Sequence, residues 1–338
     1  MNIGFIGLGK LGLPCALAIE SRGHNVLGYD PSAQVQEIMD TKKIIYNEID
    51  AQKYLSKSKI KIVPLRQVVR HSEIIFVPIQ TPHGDKYEGM TRIPNQRQNF
   101  DYSFLIKGMT DLSNEIENQG QKKIVTIIST VLPGTIRRHI KPILGNNTRL
   151  CYNPFFIAMG TTMRDFLHPE FVLLGQDDNW ALKKCKFFYS SFIHAPIYDT
   201  TLENAELIKV LYNTFISTKL AFTNTVMELC HKLPNTNCDD VMNALAMGNK
   251  RILAESYWSG GMGDGGGCHP RDNIALSWLS RELELSSDWF DNIMMQRENQ
   301  TDWLANIIEE HKGNKKYNLI YILGKSFKPE LNIITGSP

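Results

Sequence analysis

Glycine occupies six of the eight positions from Gly260 to Gly267, and the run ends in Cys268-His269-Pro270-Arg271-Asp272. Glycines let backbone approach a ligand closely and permit positive φ where a chain must wrap one. Pro270 suits the first turn of a helix, where its missing N–H would lack a partner anyway. Cys268 then falls at a helix N-terminus, a setting that favours a thiolate able to attack a carbonyl carbon. A lone cysteine is more often an inert apolar residue, and the glycine loop reverses that preference. Cys268 and His269 are neighbours with no complementary ligand pair, so no metal site is expected.

A second string, Gly7-Leu8-Gly9-Lys10-Leu11-Gly12, follows a strand-like run and opens a helix-like one, and Asp30 ends the next strand 18 residues after Gly12. That context marks a dinucleotide-binding turn. Gly7 permits the tight turn, Gly9 admits the pyrophosphate, and Gly12 allows close helix–strand packing. The helix N-terminus adds N–H donors and partial positive charge. Asp30 would accept from the ribose hydroxyls and repel a 2′-phosphate, which favours NAD over NADP. A third pair, Lys209 and Asn213, stands four apart on one face of a long apolar helix. Either the lysine snorkels and the amide joins a satisfied network, or both serve a ligand; spacing alone does not separate the two.

The elements that must hold these groups alternate in the first half. Asn2–Ile6, Asn25–Tyr29, Lys59–Val63, Glu73–Ile79 and Lys123–Ile128 are β-branched or apolar runs, with helical stretches such as Leu11–Arg22 and Asp101–Gln119 between most of them. The pattern predicts an α/β fold with a Rossmann-like doubly wound parallel sheet. Phe171–Gly175 and Ala195–Tyr198 add candidate strands, and polar Gly84–Asn99 reads as a loop over the carboxyl edge of the sheet. Leu202–Lys232 contains no Gly or Pro and predicts a helix of roughly 45 Å, long enough to link domains or pair with a second subunit. Helices follow around Cys238–Ala246, Asn273–Glu284 and Ser286–His311. Tyr317–Leu323 reads as one more strand, which needs a sheet partner.

Composition agrees with a folded globular protein. The 338 residues are 42% apolar and 21% charged, with a net charge of +2, so disorder and a nucleic-acid partner are not expected. None of the six cysteines forms a CxxC pair, which fits a reducing cytoplasm. The apolar N-terminus lacks the positive region of a signal peptide, and no run of 18 apolar residues predicts a membrane span.

Taken together, the chain resembles the UDP-glucose/GDP-mannose dehydrogenase family of nucleotide-sugar 6-dehydrogenases from residue 1 to its end. Besides the strings above, the resemblance rests on Thr81-Pro82, Ser129-Thr130-Val131-Leu132-Pro133-Gly134, Asn153-Pro154, Asp165-Phe166-Leu167-His168-Pro169, Glu206–Asn213, Arg251 and Gly324-Lys325-Ser326-Phe327-Lys328-Pro329. It implies a four-electron oxidation of a sugar C6 alcohol to a uronic acid, with NAD as the hydride acceptor. Cys268 would form the thiohemiacetal and thioester. Lys209 and Asn213 would stabilise negative charge on the substrate oxygen, while Asp272 and Thr130 would handle water. Cofactor contacts would come from Gly7 to Gly12, Asp30, Thr81 and Thr130. Substrate contacts would come from Lys209, Asn213, Arg251, Gly265, Gly266 and Lys328.

The resemblance also implies three parts: residues 1–200 for NAD, 201–312 as a helical central domain carrying the Cys268 loop, and 313–338 opening a nucleotide-sugar domain of which only the first strand is present. A homodimer through residues 202–232 is expected. The sequence departs from the family where glutamates are usual, at Phe155 and Met159. The glycine loop carries Asp264 and an extra residue, Arg271 replaces a lysine, and Thr335-Gly336-Ser337-Pro338 replaces an Arg-Glu-Ser-Pro type ending. Two other readings stay open: a β-hydroxyacid dehydrogenase, which needs no cysteine, and a non-catalytic NAD-binding relative.

Overall fold

Apolar runs separated by amphipathic ones fold into βαβ units because each sheet face must be covered. The computed structural model describes residues 1–87, 89, 92, 94–232, 234–248, 261, 263, 265–282, 288–312, 319–327 and 330–337. The chain divides into two compact units, Met1–Pro82 with Phe100–Lys209, and His83–Asn99 with Val210–Pro338.

The first unit contains strands β1 (Asn2–Ile6), β2 (Asn25–Tyr29), β3 (Lys61–Ile62), β4 (Ile74–Val77), β5 (Lys123–Ile127), β6 (Thr148–Tyr152), β7 (Val172–Gln176) and β8 (Ile197–Thr200). They form one sheet in the order β3-β2-β1-β4-β5-β6-β7-β8. All neighbours are parallel except β6 and β7. Helices α1 (Gly12–Glu20), α2 (Ala33–Thr41), α3 (Ala51–Leu55), α4 (Leu65–His71), α5 (Ser103–Gln119), α6 (Thr162–Leu167) and α7 (Asn179–Ser190) complete it. Strands β4 and β5 are buried at every position, as expected of central parallel strands covered on both faces. Phe5 and Phe76 stack at 5.3 Å in this core, with Leu13, Leu17 and Ile19 of α1 buried beside them. Asp178 caps α7 by accepting the N–H groups of Trp180 and Ala181, both at 2.9 Å.

Helix α8 runs over Leu202–Lys232, the span predicted from its lack of Gly and Pro. Its residues beyond Lys209 fall in the second unit, with α9 (Cys238–Ala246), α10 (Cys268–Glu282) and α11 (Trp289–Lys312). There α10 packs on α11. The 83–99 segment carries one short 3₁₀ turn, Asp85–Tyr87, and joins this unit through buried arginines. Arg97 donates to Ser277 at 3.2 Å and pairs with Asp291, while Arg297 donates to the Gly89 carbonyl at 3.2 Å.

One expected strand is corrected. Residues 319–323 form no strand, and Leu323 is 95% exposed. A strand is stable only with a partner to pair with, and among the described residues none adjoins this run. Among the described residues no helix is long and apolar enough to cross a membrane.

Candidate active site

The glycine turn is tight where packing demands it and open where a ligand would lie. Gly7 has φ of +114° and donates its N–H to the Tyr29 carbonyl at 2.8 Å. A Cβ on Gly12 would sit 2.2 Å from the Gly7 carbonyl oxygen, whereas one on Gly9 would meet nothing within 4 Å. Gly9 and Lys10 are exposed, and Leu11 is half-buried. Leu8 packs its side chain over Gly28, where a Cβ would lie 2.3 Å away. Its N–H donates to Asp30 Oδ2 at 2.7 Å, and the Ser32 N–H donates to Oδ1 at 2.8 Å. Asp30 therefore also braces the turn, a role not evident from its position in the sequence. An open glycine backbone at the start of α1, with a carboxylate beside it, fits a dinucleotide. Gly12→Ala is expected to cost about 1–3 kcal/mol in overpacking, read as a lower melting temperature together with weaker NAD binding in calorimetry.

Residues 129–136 form a strap leaving β5. The Thr81 hydroxyl donates to the Thr130 carbonyl at 2.7 Å, and the Ser129 hydroxyl donates to the carbonyls of Val77 and Ile79. Tyr102 Oη accepts the Leu132 N–H at 3.1 Å. Glu206 accepts the N–H groups of Gly134 and Ile136, the latter at 2.8 Å. Burial pushes the Glu206 carboxyl up to about 7, against the pull of those two N–H groups. One turn on, buried Lys209 holds its Nζ 5.4 Å from the centre of the Phe156 ring.

Phe155 faces Phe166 edge-on at 5.1 Å and lies 6.4 Å from Phe76. It packs against the apolar core, while Met159 is half-buried. Beside them a shallow cleft is lined by Asn153, Phe155, Phe156, Phe166, Phe171 and Tyr189, among others.

In the second unit, Cys268 is the first residue of α10 and is exposed. One turn later, Asp272 is 1% exposed, and its Oδ2 accepts from Asn213 Nδ2 at 2.5 Å. Ser217 Oγ lies 3.1 Å from His269 Nδ1, and Asn273 Nδ2 donates to Ser217 Oγ at 3.2 Å and to the His269 carbonyl at 2.9 Å. Asn224 Oδ1 accepts the Gly261 N–H at 2.9 Å. Buried Ser217 and Asn224 thus extend the polar face of α8 that Asn213 begins, and sequence reading missed both. Their spacing of four and then seven was the available signal.

The glycine loop is itself covered. The Gly266 N–H donates to the Gly336 carbonyl at 2.8 Å, and a Cβ on Gly265 would lie 2.1 Å from Phe327 Cβ. Gly7 to Gly12, Asp30, Thr81, Thr130 and Lys209 belong to the first unit. Asn213, Gly265, Gly266, Cys268 and Asp272 belong to the second. Arg251, Asp264 and Lys328 lie outside the described residues.

Residues 1–193 match the family model described as "UDP-glucose/GDP-mannose dehydrogenase family, NAD binding domain", and residues 203–299 match the central domain of that family. The chain is 26% identical to the GDP-mannose 6-dehydrogenase of Azotobacter vinelandii, aligning over all of this chain and 77% of that relative. It is 24% identical to the UDP-glucose 6-dehydrogenase of Bacillus subtilis, over all of this chain and 75% of the relative. A UDP-glucose dehydrogenase structure from the archaeon Pyrobaculum islandicum superposes with a TM-score of 0.87 at 24% identity, over 99% of this chain and 77% of that one. The likeness to that structure is one of fold.

Proposed function

From the premise that the chain belongs to the UDP-glucose/GDP-mannose dehydrogenase family and takes NAD as its cofactor, we propose that it oxidises the C6 primary alcohol of a UDP-glucose-like nucleotide sugar to the uronic acid. The observation that carries this reading is the second unit's pairing of an exposed Cys268 with a buried Asn213–Asp272 hydrogen bond one turn away. NAD supplies the hydride acceptor for both oxidations. Lys209 and Asn213 hold the sugar oxygen and stabilise the charge that develops there. At the aldehyde stage the Cys268 sulfur adds to the carbonyl carbon, giving a thiohemiacetal. Loss of the second hydride makes a thioester. Water then adds, the C–S bond breaks, and the thiol returns as the acid leaves. Asp272 fixes the Asn213 amide and, with Thr130, orders that water. Gly265, Gly266, Arg251 and Lys328 contact the substrate.

In this reading residues 1–200 hold the cofactor, 201–312 carry the nucleophile and pair two subunits along 202–232, and 313–338 open the nucleotide-sugar domain. The enzyme works in the cytoplasm and supplies uronic acids to surface polysaccharide. The test is NADH formation with UDP-, GDP- and TDP-sugars. About two NADH per sugar consumed supports the full oxidation and names the substrate, whereas no NADH with any nucleotide sugar sinks it. Phe155 favours a second reading, because a ring packed into the core supplies no carboxylate for hydrolysis. In that case NADH appears as a burst stoichiometric with enzyme, and the thioester persists on Cys268 in mass spectrometry.

A further inference from the structure

We propose that Glu206 is a positioning residue for the NAD site, its carboxylate fixing the strap 129–136, and with it Thr130, against the turn of α8 that carries Lys209. The inference rests on the NAD-binding part of the reading above and is independent of which sugar is oxidised.

The strap is anchored twice. At its amino end, Thr81 and Ser129 tie it to the residues that leave β4. At its other end the chain enters a π-helical turn, Ile136–Ile140, and the first N–H groups of such a turn have no partner within it. Gly134, with φ of +82°, and Ile136 both aim their N–H groups at the Glu206 carboxylate. Tyr102 adds a neutral contact, its Oη accepting from Leu132 and from the Thr135 hydroxyl at 3.2 Å. Glu206 thus supplies a charged acceptor that joins the strap to α8. It is fully buried, and no step of the proposed oxidation uses it. Lys209 is three residues further along the same helix, so displacing the Glu206 turn displaces the lysine as well.

The anchor depends on charge. Ionised, the carboxylate accepts from both N–H groups. Protonated, one of its oxygens becomes a donor facing an N–H, and one of the two bonds weakens. Burial raises the carboxyl to about 7. The Ile136 and Gly134 N–H groups oppose that rise, Glu203 on the same helix adds to it, and Arg138 from the strap side opposes it. Glu203 is itself engaged by Arg137, and Arg138 donates to the Pro133 carbonyl at 3.1 Å. If the ionised form is the one that binds NAD, about nine-tenths of the molecules are incompetent at pH 6, and the apparent Kd rises about tenfold from pH 8.

The experiment is calorimetric titration of the whole chain with NAD alone at pH 6, 7 and 8, with thermal melting in parallel. Wild type is expected to weaken about tenfold toward pH 6. Glu206→Gln is expected to bind about tenfold more weakly at pH 8 and to show no further change down to pH 6. Glu206→Asp keeps the charge and should keep the pH dependence. The proposal is overturned if Glu206→Gln retains the wild-type affinity, or retains the acid weakening, or lowers only the melting temperature. Should that variant not fold, a wild-type Kd that is flat from pH 6 to 8 overturns it equally. Failure to oxidise any nucleotide sugar, with this pH-dependent NAD binding intact, would count against the substrate assignment alone.

Discussion

Cys268→Ala is expected to lower uronic acid formation from a nucleotide sugar by at least about a thousandfold, sparing only NADH from the first oxidation, with NAD affinity and melting temperature close to wild type. The size of the effect follows from the chemistry. Without the thiol no covalent aldehyde adduct forms, so the second oxidation has no thiohemiacetal to draw on. The sparing of the fold follows from the structure. Cys268 is exposed at the first position of α10, and truncating an exposed side chain leaves no cavity. Pro270 is buried in the same turn and continues to start the helix. Cys268→Ser separates the readings further. The hydroxyl is a far weaker nucleophile, so a nucleotide-sugar 6-dehydrogenase stalls. A β-hydroxyacid dehydrogenase, which needs only a lysine and an amide on the long helix, would be indifferent to the change. Full activity of Cys268→Ser on a hydroxyacid would sink the nucleotide-sugar reading, whereas loss of activity on a nucleotide sugar would leave it standing.

How far the sequence could be read depends on where the information lies. Helix α8 was legible to both ends, because an uninterrupted run without Gly or Pro leaves the chain no local reason to stop. The glycine turn was legible because its constraints are local: the φ of Gly7 and the closeness of Gly12 to the Gly7 carbonyl. Strand β6 was not, since Thr148 and Arg149 break the apolar pattern that marks a buried strand, and the antiparallel direction of β7 against it leaves no trace in composition. Residues 319–323 were misread for the opposite reason. Their β-branched and aromatic types favour a strand, but pairing is a tertiary property that propensity does not contain. At the site, residue types were readable and partners were not. That Asp30 braces Leu8 and Ser32 and that Phe155 packs against Phe166 are both consequences of the folded sheet.

The Asn213–Asp272 pair carries the second large effect. Its 2.5 Å hydrogen bond is buried at both ends, with Asp272 1% exposed and Asn213 9% exposed. A hydrogen bond contributes about 0.5–1.5 kcal/mol, and leaving a buried partner unsatisfied costs about 1–3 kcal/mol. Asp272→Asn keeps the shape and exchanges one carboxyl oxygen for an NH2 group. Its amide oxygen can still accept from Asn213, but an NH2 donor now stands where the carboxyl had its second acceptor oxygen. That altered pairing loosens the Asn213 amide, which in the proposed reading holds the sugar oxygen as negative charge builds there. The expected result is a kcat lower by about a hundredfold, which at about 1.4 kcal/mol per tenfold corresponds to roughly 3 kcal/mol. KM for the sugar should change little, because the contact matters most as charge develops. Asn213→Ala should give a similar loss. Because the two side chains act as one unit, the double variant should be no worse than either single one by more than a few tenths of a kcal/mol. Strict additivity in that cycle would mean that Asp272 acts on water or substrate separately from Asn213. A raised KM with unchanged kcat would instead place the pair in ground-state binding, and the charge-stabilising role would then fall to Lys209 alone.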